Sequence, residues 1–183
     1  NGLGIQWYTP SFGGGLPAYP HPQNMQFSLV QALTALFDPW TATQVNYFLL
    51  VFAGFLSAYY FLRRALDFNW QASTLGAIFF SANGFYLQHM VAGHLNHQGF
   101  ALLPFLLIGL LAPRLSPFFG GILLSLVFAV LVYSASFYPL IFILLSLGIC
   151  LPLVFLLRPS IFDWKKLALT TLWGAVLTIG LTG

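Results

Sequence analysis

The sequence predicts an all-α fold: a polytopic transmembrane helix bundle of about six spans, preceded by an extracytoplasmic loop and an interfacial helix. Three observations predict it. First, 59% of the 183 residues are hydrophobic and only 5% are charged, with no glutamate; a water-soluble domain carries several times that charge. Second, apolar stretches recur along the chain at roughly the 20 residues that a hydrocarbon core of about 30 Å demands. Third, all six basic residues fall in three short segments: Arg63-Arg64, Arg114, and Arg158 with Lys165-Lys166. Two apolar stretches separate each neighbouring pair of segments. If every stretch crosses once, the three segments share one side, as the positive-inside rule requires. His21, His89, His94 and His97 then share the other.

The formal charge of +3 is on this reading the cytoplasmic rim of a bundle and no footprint of nucleic-acid binding. The one cysteine, Cys150, lies in an apolar run and has no internal partner for a disulfide. No charged side chain precedes Asp38, and the first residues lack the basic start and compact apolar core of a signal peptide. The chain opens on Asn1 and closes in an apolar run, which reads as a piece of a longer polytopic chain.

Residues 1–22 are punctuated by glycine and proline, with Trp7, Tyr8, Phe12 and Tyr19 interleaved. That excludes a long helix or buried strand and predicts an aromatic loop at headgroup level, where Trp and Tyr concentrate. From Asn24 to Phe37 the pattern turns helical, with Asn24, Ser28, Gln31 and Asp38 marking one face and Leu29, Val30, Leu33, Leu36 and Phe37 the other. At about 21 Å this helix is too short to span, so it is predicted to lie in the interface. Asp38-Pro39 is expected to end it. Residues 1–44 therefore form an outer part and 45–183 the bundle.

The predicted spans are Val45–Leu62, Gln71–Gln88, Gly99–Ala112, Phe118–Tyr133, Leu140–Leu157, and a sixth from Leu167, with a turn over 134–139. Small residues four apart, Gly54 with Ala58, Ala72 with Gly76, and Ser73 with Ala77, predict close helix contact. Asn46 and Asn83 are the polar residues expected to hydrogen-bond inside the bundle, since an unpaired amide is costly in lipid.

The densest polar constellation is the outer loop from His89 through His94 to His97. Three imidazoles in nine residues point three ways: helix-capping groups of an interfacial loop, donors to a substrate phosphate, or ligands of a divalent metal ion such as zinc. The spacing matches no known zinc pattern. His94 and His97 would share a face on a helix, but Gly93 makes a helix doubtful. His21, held between Pro20 and Pro22, is a rigid exposed imidazole suited to a turn or to ligand contact. Asp38 is the one acid on the outer side and reads as a helix-terminal turn or a lone base. Gly13-Gly14-Gly15 is a flexible turn or an anion nest, and it lacks the lysine and strand of a P-loop.

Trp7-Tyr8-Thr9-Pro10-Ser11-Phe12-Gly13-Gly14-Gly15-Leu16-Pro17, followed by an interfacial helix and a Tyr-rich span ending in arginine, resembles the polytopic GT-C-type glycosyltransferases. The nearest likeness is to the YfhO-like bacterial membrane proteins. Ser81-Ala82-Asn83-Gly84-Phe85 with Gly93-His94, and Ala101-Leu102-Leu103-Pro104, resemble their next spans, so the likeness covers roughly residues 5–112. It implies a bacterial inner-membrane enzyme that moves a sugar from a polyprenyl-phosphate carrier to an acceptor at the non-cytoplasmic face. It also implies an acidic base, which often helps hold a divalent ion and precedes the Trp-Pro-Gly-Gly stretch. That position falls before Asn1, so no catalytic residue carries over. His94 matches the Gly-His position and is the leading substrate contact, with His97, His89, His21 and Asp38 as further candidates.

Two other classes compete. One is a non-catalytic subunit of a membrane assembly, favoured by the missing acids and by the lack of outer lysine and arginine; its histidines would also suit haem or a chlorophyll-type pigment. The other is a transporter, disfavoured because the chain shows no internal repeat and no charge deep within a span.

Overall fold

The computed structural model describes residues 8–9, 16–17, 27–134 and 137–182. Their regular elements are helices apart from an antiparallel pair of two-residue strands, β1 (Tyr8–Thr9) and β2 (Leu16–Pro17), in register Tyr8↔Pro17 and Thr9↔Leu16. His21, the Gly13-Gly14-Gly15 run and the start of the predicted interfacial helix lie outside the described residues. What is described of that helix is one short element, α1 (Leu29–Leu33), opened by Ser28, whose Oγ accepts from the Gln31 N–H at 3.2 Å.

Asp38 does not close α1; it opens the next helix. α2 (Pro39–Tyr60) has Asp38 as its N-cap, with Oδ1 accepting from the N–H groups of Trp40 and Thr41 at 3.1 Å each. Pro39 sits in the first turn, where its missing N–H costs nothing. The helix therefore begins ahead of the predicted Val45. It continues through a π-helical turn over Phe61–Ala65 that carries Arg63 and Arg64. Asp67 then takes a left-handed conformation, φ 61°, which stops the helix.

The second predicted span is interrupted. α3 (Trp70–Ser81) and α4 (Gly84–Val91) are separate helices, broken where Asn83 is extended at ψ 145°. Asn83 Oδ1 accepts from the Tyr86 N–H at 2.9 Å, while its Nδ2 donates to the Phe80 carbonyl. Asn83 is thus a local cap, which corrects the expectation that it bridges helices. A short amide competes well with the backbone ladder, and here it satisfies groups that the break would otherwise strand.

The third apolar stretch is a 3-10 helix over Leu95–Leu102 running into α5 (Leu103–Leu111). Pro104 falls in the first turn of α5, so it begins the α-helical part and does not interrupt it. α6 (Pro117–Tyr133), capped by Ser116, and α7 (Phe137–Leu157) follow, then a 3-10 turn over Pro159–Ile161 and α8 (Trp164–Thr182). Because α7 starts at Phe137, the turn after Tyr133 is shorter than the predicted 134–139.

α5 is the centre of the packing: Leu103, Leu106, Leu107, Ile108, Leu110 and Leu111 are all buried. The most extensive helix pair is α6 with α8, and small residues allow it. A Cβ added at Gly121 would come within 2.9 Å of Gly174 N, and one at Gly120 within 2.8 Å of Thr170 Cγ2, both on α8; Gly120 also lies against the Gly109 carbonyl oxygen of α5. The predicted small-residue stripes hold in part. Gly54 approaches the Ala101 backbone, and Ser73 and Ala77 are fully buried, while Ala72 is exposed.

The three basic segments meet at one end of the bundle. Arg158 Nη2 donates to the Leu66 carbonyl at 2.8 Å, and Lys166 Nζ donates to the Ala112 carbonyl. Leu66 follows Arg63-Arg64 and Ala112 precedes Arg114, so two long-range bonds tie the three segments together. Burial lowers the Lys166 pKa, with Asp163 opposing the shift.

Two helices, Pro39–Arg64 and Leu140–Leu157, are long and apolar enough to cross a bilayer. Their large side chains face outward: Phe48 and Phe52 on α2, and Leu145, Ile149, Leu156 and Leu157 on α7, are each exposed by 60% or more.

Candidate functional site

The polar end of the bundle is anchored by one buried amide pair. Asn46 on α2 donates from Nδ2 to Gln98 Oε1 on the 3-10 helix, and both residues are buried. Asn46 therefore does bridge elements, as its sequence position predicts. The pair lies about 27 Å along α2 from Arg64, at 1.5 Å per residue, so it marks the end opposite the basic segments. Tyr86 stacks on Tyr47 at 5.9 Å and donates to the Gln98 carbonyl at 3.4 Å, tying α4 to the same point.

Around this anchor the three histidines of the loop converge. His89 is in the last turn of α4; His94 stands at the N-cap position of the 3-10 helix, with no side-chain capping bond; His97 lies on that helix. The chain turns between them at Gly93, whose φ of +75° is a left-handed conformation that glycine adopts freely. The His94 N–H then bonds back to the His89 carbonyl at 2.9 Å. A 3-10 helix has three residues per turn, so residues three apart eclipse. That places His94 and His97 on one side, despite the glycine that makes an α-helix doubtful in the sequence.

The resulting geometry is tight. His89 Nδ1 and His94 Nδ1 are 2.8 Å apart, and the rings of His89 and His97 stack at 3.9 Å with 8° between planes. His97 Nδ1 is 2.9 Å from Asn96 Oδ1; since that oxygen only accepts, Nδ1 carries the proton. Phe85 packs edge-on against His89 at 4.5 Å and against His97 at 6.0 Å. One ligand atom from each imidazole lies within 4.8 Å of the others. His97 is buried, His89 half-buried and His94 exposed.

Burial, then the neighbouring His89 and His94, holds the His97 pKa below its ordinary 6.5. The sign follows from linkage: the unfolded chain binds a proton below about 6.5 that the folded loop resists, so stability falls as pH drops. Amide exchange across 89–98 is therefore expected to quicken as pH is lowered from about 7 to about 5, after correction for the intrinsic rate. His97→Phe should remove that extra dependence.

Gly93 gives a second prediction. An added Cβ meets nothing within 4 Å, so the obstacle to Gly93→Ala is conformational alone. A left-handed residue costs about 1–2 kcal/mol for a non-glycine side chain. Gly93→Ala should destabilise the protein by about that much in denaturant titration, while Gly93→Asn, which tolerates this region, should cost less.

Beside the histidines runs an open, mainly apolar groove of about 420 Å³. α2 contributes Trp40, Thr43, Gln44 and Tyr47; α4 contributes Leu87, Met90 and Val91; the loop and 3-10 helix contribute Gly93, Leu95 and Gln98. Groove residues and histidines alternate in sequence, so the two features are neighbours by chain connectivity.

Of the predicted site residues, the structure brings together His89, His94 and His97. Asp38 is spent on capping α2. Hydrogen bonds from Thr41, side chain and backbone, and from Trp40 hold its carboxyl below the ordinary range, so it remains an ionised cap. Among the described residues the other acids are Asp67 and Asp163. Asp163 Oδ1 accepts from the Lys166 N–H at 3.0 Å at the basic end. Gln98 and Asn96 are site residues that sequence reasoning missed. The available signal was an amide at the polar edge of the apolar run that begins at Gly99, which a buried position obliges to find a partner.

No family model, curated protein or solved structure matches the chain.

Proposed function

We propose that the chain is a six-span bacterial inner-membrane protein of GT-C-like glycosyltransferase type, with the histidine loop at the non-cytoplasmic face. Its described residues bind the polyprenyl-phosphate end of a lipid-linked sugar. The observation that carries the reading is the convergence of His89, His94 and His97 beside an apolar groove, at the end of the bundle opposite every lysine and arginine. A polyprenyl chain needs an apolar path, and a phosphate at a face without basic side chains needs imidazole donors. The outward-facing apolar residues of α2 and α7 suit a lipid surround and not water, and the grouping of the three basic segments suits one cytoplasmic rim.

In this proposal His94, exposed at the mouth of the loop, meets the phosphate, and His97 and Gln98 hold the loop in place. Proton abstraction from the acceptor falls to the carboxylate that the resemblance implies ahead of Asn1, since Asp38 is committed to its cap and Asp163 pairs with the Lys166 N–H at the basic end. That same observation favours a second reading, a non-catalytic subunit of a membrane assembly that retains the scaffold without the chemistry.

Titration of the protein in lipid nanodiscs with a polyprenyl phosphate tests the first reading. Native protein should bind, and His94→Ala should weaken binding about tenfold or more, equivalent to about 1.4 kcal/mol. Absence of saturable binding, or identical affinity in the variant, would remove the substrate role and leave the structural subunit. Sugar release from a polyprenyl-linked donor separates an enzyme from a subunit that only binds.

A further inference from the structure

We propose that His89, His94 and His97 form a mononuclear site for a borderline divalent transition metal ion, zinc above all, with a fourth coordination position open. The site stands on its own geometry and not on the glycosyl-transfer reading.

Each neutral imidazole offers one lone pair. The three ligand atoms lie within 4.8 Å of one another, and a tetrahedral ion with bonds of about 2.0–2.1 Å needs them about 3.3 Å apart. The adjustment required is confined to the three side chains: the 2.8 Å Nδ1 pair of His89 and His94 must open, the wider separations must close, and the parallel rings of His89 and His97 must tilt out of their stack so that both in-plane lone pairs meet one ion. His94 is exposed, whereas His89 and His97 both pack on the edge of Phe85, which keeps the two rings on one side of the site.

The tautomers suit the assignment. Asn96 Oδ1 takes the Nδ1 proton of His97, which leaves the Nε2 lone pair for the metal. An outer hydrogen bond of this kind orients metal-binding histidines generally. The proton shared between His89 Nδ1 and His94 Nδ1 moves to the far Nε2 of whichever ring holds it. That is a change of tautomer with no net proton lost, and it frees both Nδ1 lone pairs.

The donor set selects the ion. Three imidazoles and no carboxylate suit zinc, copper or nickel, while magnesium and calcium demand oxygen ligands. Because the ligands are neutral, the bound ion keeps its full double charge. It would be the one strong positive centre among the described residues at this end of the bundle. Three protein ligands with an open position is the arrangement of zinc sites that hold water or an anion.

The test uses the full chain in detergent micelles, stripped of metal and titrated with Zn²⁺ by calorimetry and with Co²⁺ by visible absorption. The expected result is one ion per chain and the d–d bands of tetrahedral cobalt. His94→Ala should weaken Zn²⁺ binding tenfold or more, and Asn96→Ala by about 10–100-fold. His94→Cys should retain binding and add a thiolate-to-cobalt charge-transfer band that native protein, whose Cys150 lies within α7, does not show. Folded native protein that takes up no stoichiometric ion overturns the proposal. So does an affinity unchanged in His94→Ala, or a His94→Cys protein with no new band. Metal binding that persists while polyprenyl phosphate fails to bind would sink the substrate reading and leave the metal site intact.

Discussion

Gly121→Leu is expected to destabilise the bundle by about 3 kcal/mol, the upper part of the range for overpacking a close contact. The side chain would press into Trp173 on α8 and bring its Cβ within 2.9 Å of Gly174 N. Backbone cannot yield as a side-chain tip can, so α6 and α8 must separate, and with them the largest interface in the fold. Unfolding monitored by circular dichroism in detergent measures the loss. Gly148→Leu on α7 is the control: nothing lies within 4 Å of an added Cβ there. It should be neutral or slightly stabilising, because leucine has the better helix propensity. Equal losses at the two positions would mean that the α6–α8 seam is not closely packed.

The second large effect concerns Asn46 and Gln98. Removing either amide strands the other in a buried position, at a cost of about 1–3 kcal/mol; Asn46 Oδ1 already lacks a partner. Asn46→Leu and Gln98→Leu should each be destabilising, and the double variant should be less so than the sum of the two. A double-mutant cycle reads the coupling, expected at about 0.6–1.7 kcal/mol for a pair in a membrane setting. Because Gln98 follows His97, the single variants should also loosen the histidine loop, seen as faster amide exchange over 94–98. Strict additivity would show that the two side chains do not interact.

Some of this was legible in the sequence. The spacing of Arg63-Arg64, Arg114 and Arg158 with Lys165-Lys166 anticipates their meeting at one end, now tied by Arg158 to Leu66 and by Lys166 to Ala112. Asn46 was readable because a lone amide in an apolar helix must find a partner. Asn83 satisfied the same argument locally, and hydropathy cannot distinguish an amide that bridges helices from one that caps its own. The break it makes divides what hydropathy presents as one span. The glycines were not legible either: Gly121 and Gly148 both sit in apolar helices, and only the neighbouring backbone separates a seam from an open surface. The histidine cluster was visible as composition. Its convergence depended on a left-handed Gly93 and a 3-10 turn, and a residue count does not encode either.

The proposed topology puts the histidine site and the basic segments on opposite sides of the membrane. The direct measurement is labelling of single cysteines by a membrane-impermeant maleimide in intact cells, on a Cys150→Ser background. Val91→Cys, at a position 90% exposed beside the histidine loop, should label in intact cells. Asp163→Cys, beside the basic segments, should label only after the membrane is opened. The reverse pattern would place the histidines in the cytoplasm. Labelling of both positions in intact cells would contradict a bundle that spans the membrane between them.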